Sequence, residues 1–478
     1  MLRLYNTLSR KVEEVKKAKE NPLFIYVCGI TPYDNCHLGH ARTFIAFDIM
    51  RRWMLHEKYY VKYIQNVTDI DDKIIKRAGE RKILPLELSS KYDKKAREEM
   101  GALNILPADE MPKISENIPQ TLAFIQKLVE KKAAYATKTG VYYDISKFSE
   151  YGKLSGQDLQ KIKAGARIEV DEEKKNPEDF ALWKFEESPG ATYDSPWGRG
   201  RPGWHIECSA MSMNATGGKP LDLHCGARDL IFPHHENEIA QSEGAGYMPF
   251  SRMWAHTGFL TVNKEKMAKS LGNFVTIEEA LKKWDANVLR LFFSLAHYRS
   301  PIDFSPHAIE GAKNMLENVR RSLSVMEGEG AKSANKGEEG RLNGAVESFI
   351  SKFLAYMDND LDTPNAISAI TGGAKEVARA RAAGKCSRPC LEKNAKKIAE
   401  AFALLGIEIF QAGKEGRGAK RDKKENALDE GQIKELIAER EEARGKKDFK
   451  KSDSIRKKLA EAGIILEDGK EGVKWRYA

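Results

Sequence analysis

The chain of 478 residues carries 79 lysines and arginines against 70 acids, a formal net charge of +9. So much sequence exceeds one ordinary core and implies roughly two to four domains, and so modest a charge permits a polyanionic partner without dictating one. Six cysteines in this length exclude a disulfide scaffold, and no run approaches the ~18–20 apolar residues of a membrane span.

The opening segment, MLRLYNTLSRKVEEVKKAKE, lacks the apolar core of a secretory signal, so a cytoplasmic protein with no membrane partner is expected. LFIYVCGI (23–30) and YYVKYIQNV (59–67) read as buried strands. Between them RTFIAFDIMRRWML places Phe44, Ile45, Phe47, Ile49 and Trp53 at helical spacing. Strand, helix, strand predicts a βαβ unit and a parallel sheet, whose ligands gather at the carboxyl ends of the strands. From about 120 to 200 the text is irregular and turn-rich, as an insertion dividing the α/β domain would be. A second motif-rich block runs from Trp204 to about Ser305. Beyond it FISKFLAYMDNDLDTP and IAEAFALLGIEIF suit a helical bundle, between a flexible junction at 326–341 and a longer charged one at 411–430. The tail has helical periodicity at Ile433, Leu436, Ile437, Ile455 and Leu459 and is expected to form a small separate domain.

Four stretches carry residue types suited to chemistry. Cys28 ends the first predicted strand, and His37-Leu38-Gly39-His40 follows at the mouth of the predicted helix. Glycine lets a ligand approach the backbone and helix amino-terminal N–H groups favour an anion, so this turn suits phosphate; histidines packed at a strand–helix turn are the alternative. In FPHHENEIAQSE (232–243), Pro233 fits a first helical turn, which puts His234 and Glu238 on one face and points His235 and Asn237 elsewhere. That pair makes half of a zinc site. Cys28, together with Cys208 in WHIECSAMS (204–212), supplies two thiolates, with Cys225 and Cys36 standing as substitutes. NKEKMAKSLGNF (263–274) reads as a solvated lysine-rich loop or as a mobile loop carrying Lys266 and Lys269 onto a triphosphate. Cys386 and Cys390, in KCSRPC, are read as structural or incidental.

HLGH and KMAKS resemble the paired signatures of class I aminoacyl-tRNA synthetases. More narrowly, YVCGITPYD, NVTDIDDKII, RPGWHIECSAM, DLIFPHHENEIAQSE, KMAKSLGNF and HYRSPIDFS resemble the cysteinyl-tRNA synthetase family, over essentially the whole length down to the LEDG…W ending (466–475). The resemblance implies an α/β fold: a Rossmann-type parallel-sheet catalytic domain in two halves (1–120 and 204–262), split by a connective insertion (121–203). A KMAKS and stem-contact region (263–310), a helical bundle (311–410), a charged linker (411–430) and an anticodon-binding domain (431–478) would follow. It puts one zinc ion on Cys28, Cys208, His234 and Glu238. His37, Gly39, His40 and Lys269 carry over as ATP contacts, with His37, His40, Lys266 and Lys269 in catalytic roles. Gly29, Thr68, Trp204, His224 and Asp229 fall around the amino acid, and Arg444, Phe449, Asp453, Asp468 and Trp475 at the anticodon. Arginine and aromatics can stack unpaired bases there, while carboxylates accept base N–H donors.

The activity so implied joins L-cysteine to tRNA(Cys) through an adenylate made from ATP, with magnesium on the phosphates and the enzyme a monomer. Zinc would read the softness of sulfur, reaching discrimination of ~10⁴ against serine where a plain pocket gives ~10–200-fold. Four protein ligands ordinarily close a zinc site, so one must loosen or a fifth must add, and Glu238 is the candidate to yield. Two departures from the family pattern stand out: Ala268 where its loop has serine, and HCGARDL (224–230) where it has HGGGxDL. Cys225 and Ala227 are expected to narrow a backbone approach beside His224. The nearest rival is a cysteine ligase acting on an amino-sugar acceptor, against which the anticodon-like tail argues; a non-catalytic RNA-binding or zinc protein is the other.

Overall fold

The computed structural model describes residues 1–17, 21–157, 173–267, 272–325, 335–410, 430–446, 448–461, 464–469 and 472–477. The chain divides into two compact units, Met1–Phe410 and Gln411–Ala478.

At the centre of the first unit lies a four-stranded parallel sheet. Its spatial order is Ser251–Thr257, Leu221–Ala227, Leu23–Ile30, Val61–Val67. The helix Leu38–His56 makes the crossover between Leu23–Ile30 and Val61–Val67, as the βαβ reading expects. Strand order reverses between Leu23–Ile30 and Leu221–Ala227, and in such sheets the crevice at that reversal is where ligands bind. Fourteen of the nineteen residues of Leu38–His56 are buried, Arg42, Asp48 and Arg51 among them, so this helix is enclosed almost all round rather than on one stripe.

Alternation along the strands sorts side chains into two cores. Ile25, Val27, Leu223 and Cys225 face the crossover helix and the helical bundle. Tyr26, Cys28, Ile64 and Trp254 face the opposite layer, which holds the helix Trp204–Thr216 with Cys208. The segment between the halves of the sheet folds as an antiparallel sheet ordered Ala134–Ala136, Gly140–Tyr143, Phe180–Phe185, Gly200–Pro202. It feeds directly into Trp204–Thr216 through Gly203, where a Cβ would lie 2.0 Å from the Ala181 carbonyl oxygen.

Helices Pro306–Leu323, Lys336–Asp358, Thr363–Ala383 and Arg388–Leu404 form the bundle. The junction expected at 326–341 is shorter than the sequence suggested. Asn335 Oδ1 accepts from the Gly337 and Glu338 N–H groups and caps a helix that begins at Lys336, with Glu338 and Glu339 in its first turn. Residues 326–334 lie outside the described residues, as do 411–429 of the charged linker.

One buried cation ties the crossover helix to its surroundings. The Arg290 guanidinium pairs with Asp48 and donates to the carbonyls of Leu103 (3.0 Å), Asn104 (3.1 Å) and Leu405 (2.8 Å). Gly406 makes room for it: a Cβ there would stand 2.2 Å from Arg290 Nη2.

The second unit pairs the helices Glu430–Gly445 and Phe449–Glu461 with an antiparallel hairpin, Ile464–Gly469 and Gly472–Tyr477. Ile455, Leu459 and Leu466 form its small core, with Leu436, Ile437 and Val473 against it.

Candidate metal centre and active site

Cys28 reaches the far face of the sheet because it is two residues beyond Tyr26 on the same strand. The Cys28 and Cys208 sulfurs are 4.0 Å apart, too far for a disulfide. Glu238 Oε1 lies 3.9 Å from Cys28 Sγ and 3.1 Å from His234 Nε2. One donor atom from each of Cys28, Cys208, His234 and Glu238 falls within 4.8 Å of all the others, and all four residues are buried. Ligands ~2.0–2.3 Å from a tetrahedral ion stand ~3.3–3.8 Å apart, so this donor set fits a zinc ion in size as well as in chemistry.

Electrostatics make the same point. Burial pushes the Cys28 thiol and the Glu238 carboxyl well above their ordinary values and drives the His234 and His235 imidazoles well below theirs. Every one of these groups is thus held neutral by desolvation, and a bound cation is what would favour the thiolate and carboxylate there. His234 Nδ1 meets His205 Nδ1 at 2.9 Å, leaving Nε2 for the cluster.

Three readings of this region, those of His235, Cys225 and Cys36, are corrected. His235 does not point elsewhere: its Nε2 is 3.3 Å from Cys28 Sγ, and its Nδ1 is 2.8 Å from His256 Nε2. The cause is local. Only Phe232 in Ile231–His235 departs from helical backbone, so helical spacing holds from Pro233 on, and His235, three residues before Glu238, shares the face that His234 shares at four. His224 sits against the metal donors, its Nε2 2.8 Å from Glu238 Oε2, and Cys28, His224, His235 and Glu238 form a second compact donor group. Cys225 points away from His224 into the core beside Val27 and Leu223, so it does not narrow the amino-acid side of the strand. Cys36 is buried in that same core, its thiol pushed up by burial to about 12.

The HLGH turn is closed on itself. Gly39 N–H donates to His37 Nδ1 (3.1 Å), and His37 N–H donates to His40 Nδ1 (3.2 Å), so the histidines cap the helix reciprocally with rings stacked at 3.8 Å. Backbone N–H groups only donate, so each neutral ring carries its proton on Nε2. Burial, with His37 beside it, keeps His40 well below the usual imidazole range. Two Nε2–H donors on a helix start are what an anion needs. Gly39 is required by contact: a Cβ would lie 2.8 Å from His37 Cε1.

The segment after KMAKS packs on this turn, with Leu38 N–H donating to Val275 O and Ile277 N–H to Cys36 O. Lys266 ends the short strand Glu265–Lys266; Ala268 and Lys269 lie outside the described residues.

Of the residues expected around the amino acid, Gly29 and Thr68 are joined through Asn66, and Trp204 stacks on His234 at 4.4 Å while remaining 40% exposed. Trp204 also lines a cleft of about 380 Å³ with Thr31, Asp71, Lys73, Gly203 and His205. Asp229 is exposed in the turn Arg228–Leu230. In the second unit Arg444, Phe449 and Asp453 are exposed on the helix pair, Phe449 to 63%. Asp468 and Trp475 lie on the two hairpin strands. The residues that sequence reasoning missed are His205, His235 and His256 around the donors, and Asn66 and Glu207 beside Thr68. GWHIECS and PHHENE hold three of them and NVTDIDDKII opens on Asn66; nothing around His256 marks it.

Among the described residues no helix is long and apolar enough to cross a membrane. A family model described as the class I (C) tRNA synthetase catalytic domain matches residues 14–314. A DALR domain matches 352–411, and a cysteinyl-tRNA ligase anticodon-binding domain matches 428–476, the tail for which an amino-sugar ligase has no use. The cysteine–tRNA ligase of Methanococcus maripaludis is 44% identical over 100% of this chain and 99% of its own length. That of Thermococcus gammatolerans is 45% identical over 99% of each. Mycobacterium tuberculosis methionyl-tRNA synthetase in complex with methionyl-adenylate shares the fold at a TM-score of 0.60 and 15% identity, covering 81% of this chain and 90% of that one. Catalytic sheet, bundle and tail are thus matched in one unbroken order, and the chain belongs to the cysteine–tRNA ligase family, aminoacyl-tRNA ligases of class I.

Proposed function

We propose that this chain activates L-cysteine with ATP and transfers it to the 3′-terminal ribose of tRNA(Cys), with zinc on Cys28, Cys208, His234 and Glu238. The observation that carries the metal assignment is the mutual closeness of two buried thiols, an imidazole and a carboxylate, within 4.8 Å. It is preferred to the second donor group because it uses both thiols, the softest ligands present. When bound there, zinc supplies a soft Lewis acid that favours a thiolate over a hydroxyl. Glu238, whose second oxygen already meets His224, is the ligand proposed to yield to substrate sulfur.

In the first step an oxygen of the cysteine carboxylate attacks the α-phosphorus of ATP and pyrophosphate leaves. No side chain acts as nucleophile. His37 and His40 donate through Nε2–H to phosphate oxygens as charge builds, and Lys266 and Lys269 neutralise the departing pyrophosphate, with magnesium accompanying ATP. Gly39 keeps the two rings folded back on the helix start. Gly29, Thr68, Trp204, His224 and Asp229 hold the amino acid. In the second step a ribose hydroxyl of tRNA attacks the activated carbonyl and AMP leaves. Arg444, Phe449, Asp453, Asp468 and Trp475 read the anticodon, supported by an aromatic ring exposed to 63% at Phe449. The domain boundaries drawn from the sequence belong to this reading, as does a cytoplasmic address, since charged tRNA is consumed where translation runs.

The test is cysteine-dependent ATP–pyrophosphate exchange and tRNA charging, run before and after zinc removal. The reading expects serine rejection to collapse with the metal; equal discrimination by zinc-free enzyme refutes it.

A further inference from the structure

Both flanks of KMAKS are tied to the amino end of one helix, Leu38–His56, and on one flank the tie is a buried cation. On the carboxyl side the link is backbone to backbone: Leu38 N–H donates to Val275 O at 3.1 Å and Ile277 N–H to Cys36 O at 2.9 Å. On the amino side it runs through Arg42, two residues after His40 and only 2% exposed. Arg42 Nη1 donates to Phe293 O at 2.6 Å, and Nη2 faces the carbonyls of His297 (2.8 Å), Tyr298 (3.2 Å) and Ser300 (3.3 Å). No carboxylate pairs with this guanidinium among the described residues. Its charge is met by carbonyl dipoles instead, at the carboxyl end of the helix Ala286–Ser294 and in the loop that follows.

That loop holds the entry to KMAKS. Tyr298 O also accepts from Gly258 N–H at 2.8 Å. Gly258 directly follows the strand Ser251–Thr257 and has no room for a side chain: a Cβ there would lie 2.2 Å from Ser300 O. Beyond it Leu260–Val262 runs parallel to Ile302–Phe304, with Ile302 N–H donating to Phe259 O at 2.9 Å. A two-residue turn, Asn263 and Lys264 at φ 51° and 67°, returns the chain as Glu265–Lys266. Asp303 Oδ1 fixes that turn by accepting from Lys264 N–H (2.6 Å) and from the Thr261 hydroxyl (2.7 Å). A second tie lies alongside Arg42. The Thr43 hydroxyl donates to Gly39 O at 3.2 Å, so the Thr257 hydroxyl is the donor in its 3.1 Å contact with Thr43 Oγ1. From Arg42 onward, the path to the Lys266 backbone runs through carbonyls and strand ladders.

We infer that Arg42 is a positioning residue for adenylate formation, tying the strand that delivers Lys266 to the helix whose first turn carries His37 and His40. The inference rests on the reading that Lys266 and these histidines meet the phosphates of ATP. A guanidinium suits the task because its planar fork spans several carbonyls at fixed angles; a lysine ammonium keeps the charge but offers no such plane. With the fork gone, the loop and Gly258 are free to shift against the helix, and a misplacement of ~1 Å costs ~10²-fold in rate. The metal donors are spared, because Cys28 and Cys208 pack in a separate core from Leu38, Ala41, Phe293 and Tyr298 around Arg42.

The experiment is a double-mutant cycle in cysteine-dependent pyrophosphate exchange on the full chain, with zinc per chain measured by atomic absorption. Arg42→Lys is expected to lower kcat by about 10- to 100-fold while the cysteine KM and the zinc content stay unchanged. Lys266→Ala is expected to lower kcat by ~10²–10³-fold. If Arg42 acts through Lys266 the losses do not multiply, and the double variant should fall within about threefold of Lys266→Ala alone. Losses that multiply, or a normal kcat for Arg42→Lys beside a slow Lys266→Ala, would overturn the proposal and leave the phosphate reading standing. A raised cysteine KM with lost zinc would also overturn it, by showing that Arg42 merely supports the sheet. A normal kcat for Lys266→Ala would mean that Lys266 does not meet the phosphates, and the underlying reading would fail. Gly258→Ala presses a methyl against Ser300 O from the other side of the link and should reproduce the Arg42→Lys pattern. Should the Arg42→Lys chain not fold, Gly258→Ala decides in the same cycle, where multiplying losses again overturn the proposal.

Discussion

Replacing Gly39 by alanine separates the catalytic use of the HLGH turn from its structural one. Position 39 is inside the helix Leu38–His56 and is not among the residues at positive φ, so alanine suits its backbone. The new methyl would stand 2.8 Å from His37 Cε1 and 2.9 Å from Nδ1. Non-bonded carbons settle at ~3.5–4.0 Å, so the His37 ring must retreat by roughly 1 Å. That breaks the bond from Gly39 N–H to Nδ1, a cap worth about 1 kcal/mol, while alanine in a helix gains up to about 1 kcal/mol over glycine. The two nearly cancel, and the unfolding midpoint should move by no more than about 2 °C. Catalysis has no such compensation. A 1 Å misplacement costs ~10²-fold and loss of a donor to developing charge ~10²–10³-fold, or about 2.7–4 kcal/mol. Cysteine-dependent pyrophosphate exchange should therefore lose kcat by that factor at an unchanged melting temperature, with little change in the cysteine KM. An unchanged kcat in a normally folded chain would refute the assignment of His37 to the phosphates.

Cys208→Ser should lower bound zinc, measured by atomic absorption, and with it the preference for cysteine over serine; full zinc occupancy would count against the first donor set. Glu99 has both carboxylate oxygens buried without a hydrogen bond, and burial lifts its carboxyl to about 7 against the pull of Lys95 at 3.9 Å. A carboxyl raised on folding holds its proton in the native state, so native stability falls as pH climbs from the ordinary ~4.3 towards 7 and is level above. Glu99→Gln should thus gain on the parent over that window, by about 1–2 kcal/mol with solvent screening; a stability difference equal at pH 5 and pH 8 in chemical denaturation would refute it. Phe449→Ala should weaken tRNA binding by ~1–3 kcal/mol and leave pyrophosphate exchange intact, which filter binding and exchange assays check together. A chain ending at Phe410, the limit of the first compact unit, should still make adenylate and charge tRNA poorly; loss of exchange as well would show that the tail supports the active site.

Legibility in the sequence followed period and motif. Leu23–Ile30, Leu38–His56 and Val61–Val67 could be read because apolar runs and helical spacing report burial directly. Cys28, Cys208, His234 and Glu238 were named from the family text, and what folding adds is their closeness. The insertion hid its antiparallel sheet because three of its four strands have only three or four residues, too short for alternation to register. His235 stands three residues before Glu238, and a three-residue step shares a helix face as well as the four-residue step that singles out His234. Asn66 opens NVTDIDDKII, yet a buried amide becomes meaningful only when its donors and acceptors can be traced.

Arg290 turns the crossover helix into a keyed shaft. Rolling that helix by even a fraction of a turn would pull Asp48 from a fully enclosed guanidinium and strand its charge, a penalty of several kcal/mol, while three carbonyls lose their donors. The histidine pair at the head of the shaft is therefore aimed from a point deep inside the protein, where the loop at Leu405 and Gly406 closes the bundle. On the proposed reading of that pair as phosphate contacts, the loop that closes the bundle and the turn that meets the nucleotide share one rigid helix through Asp48.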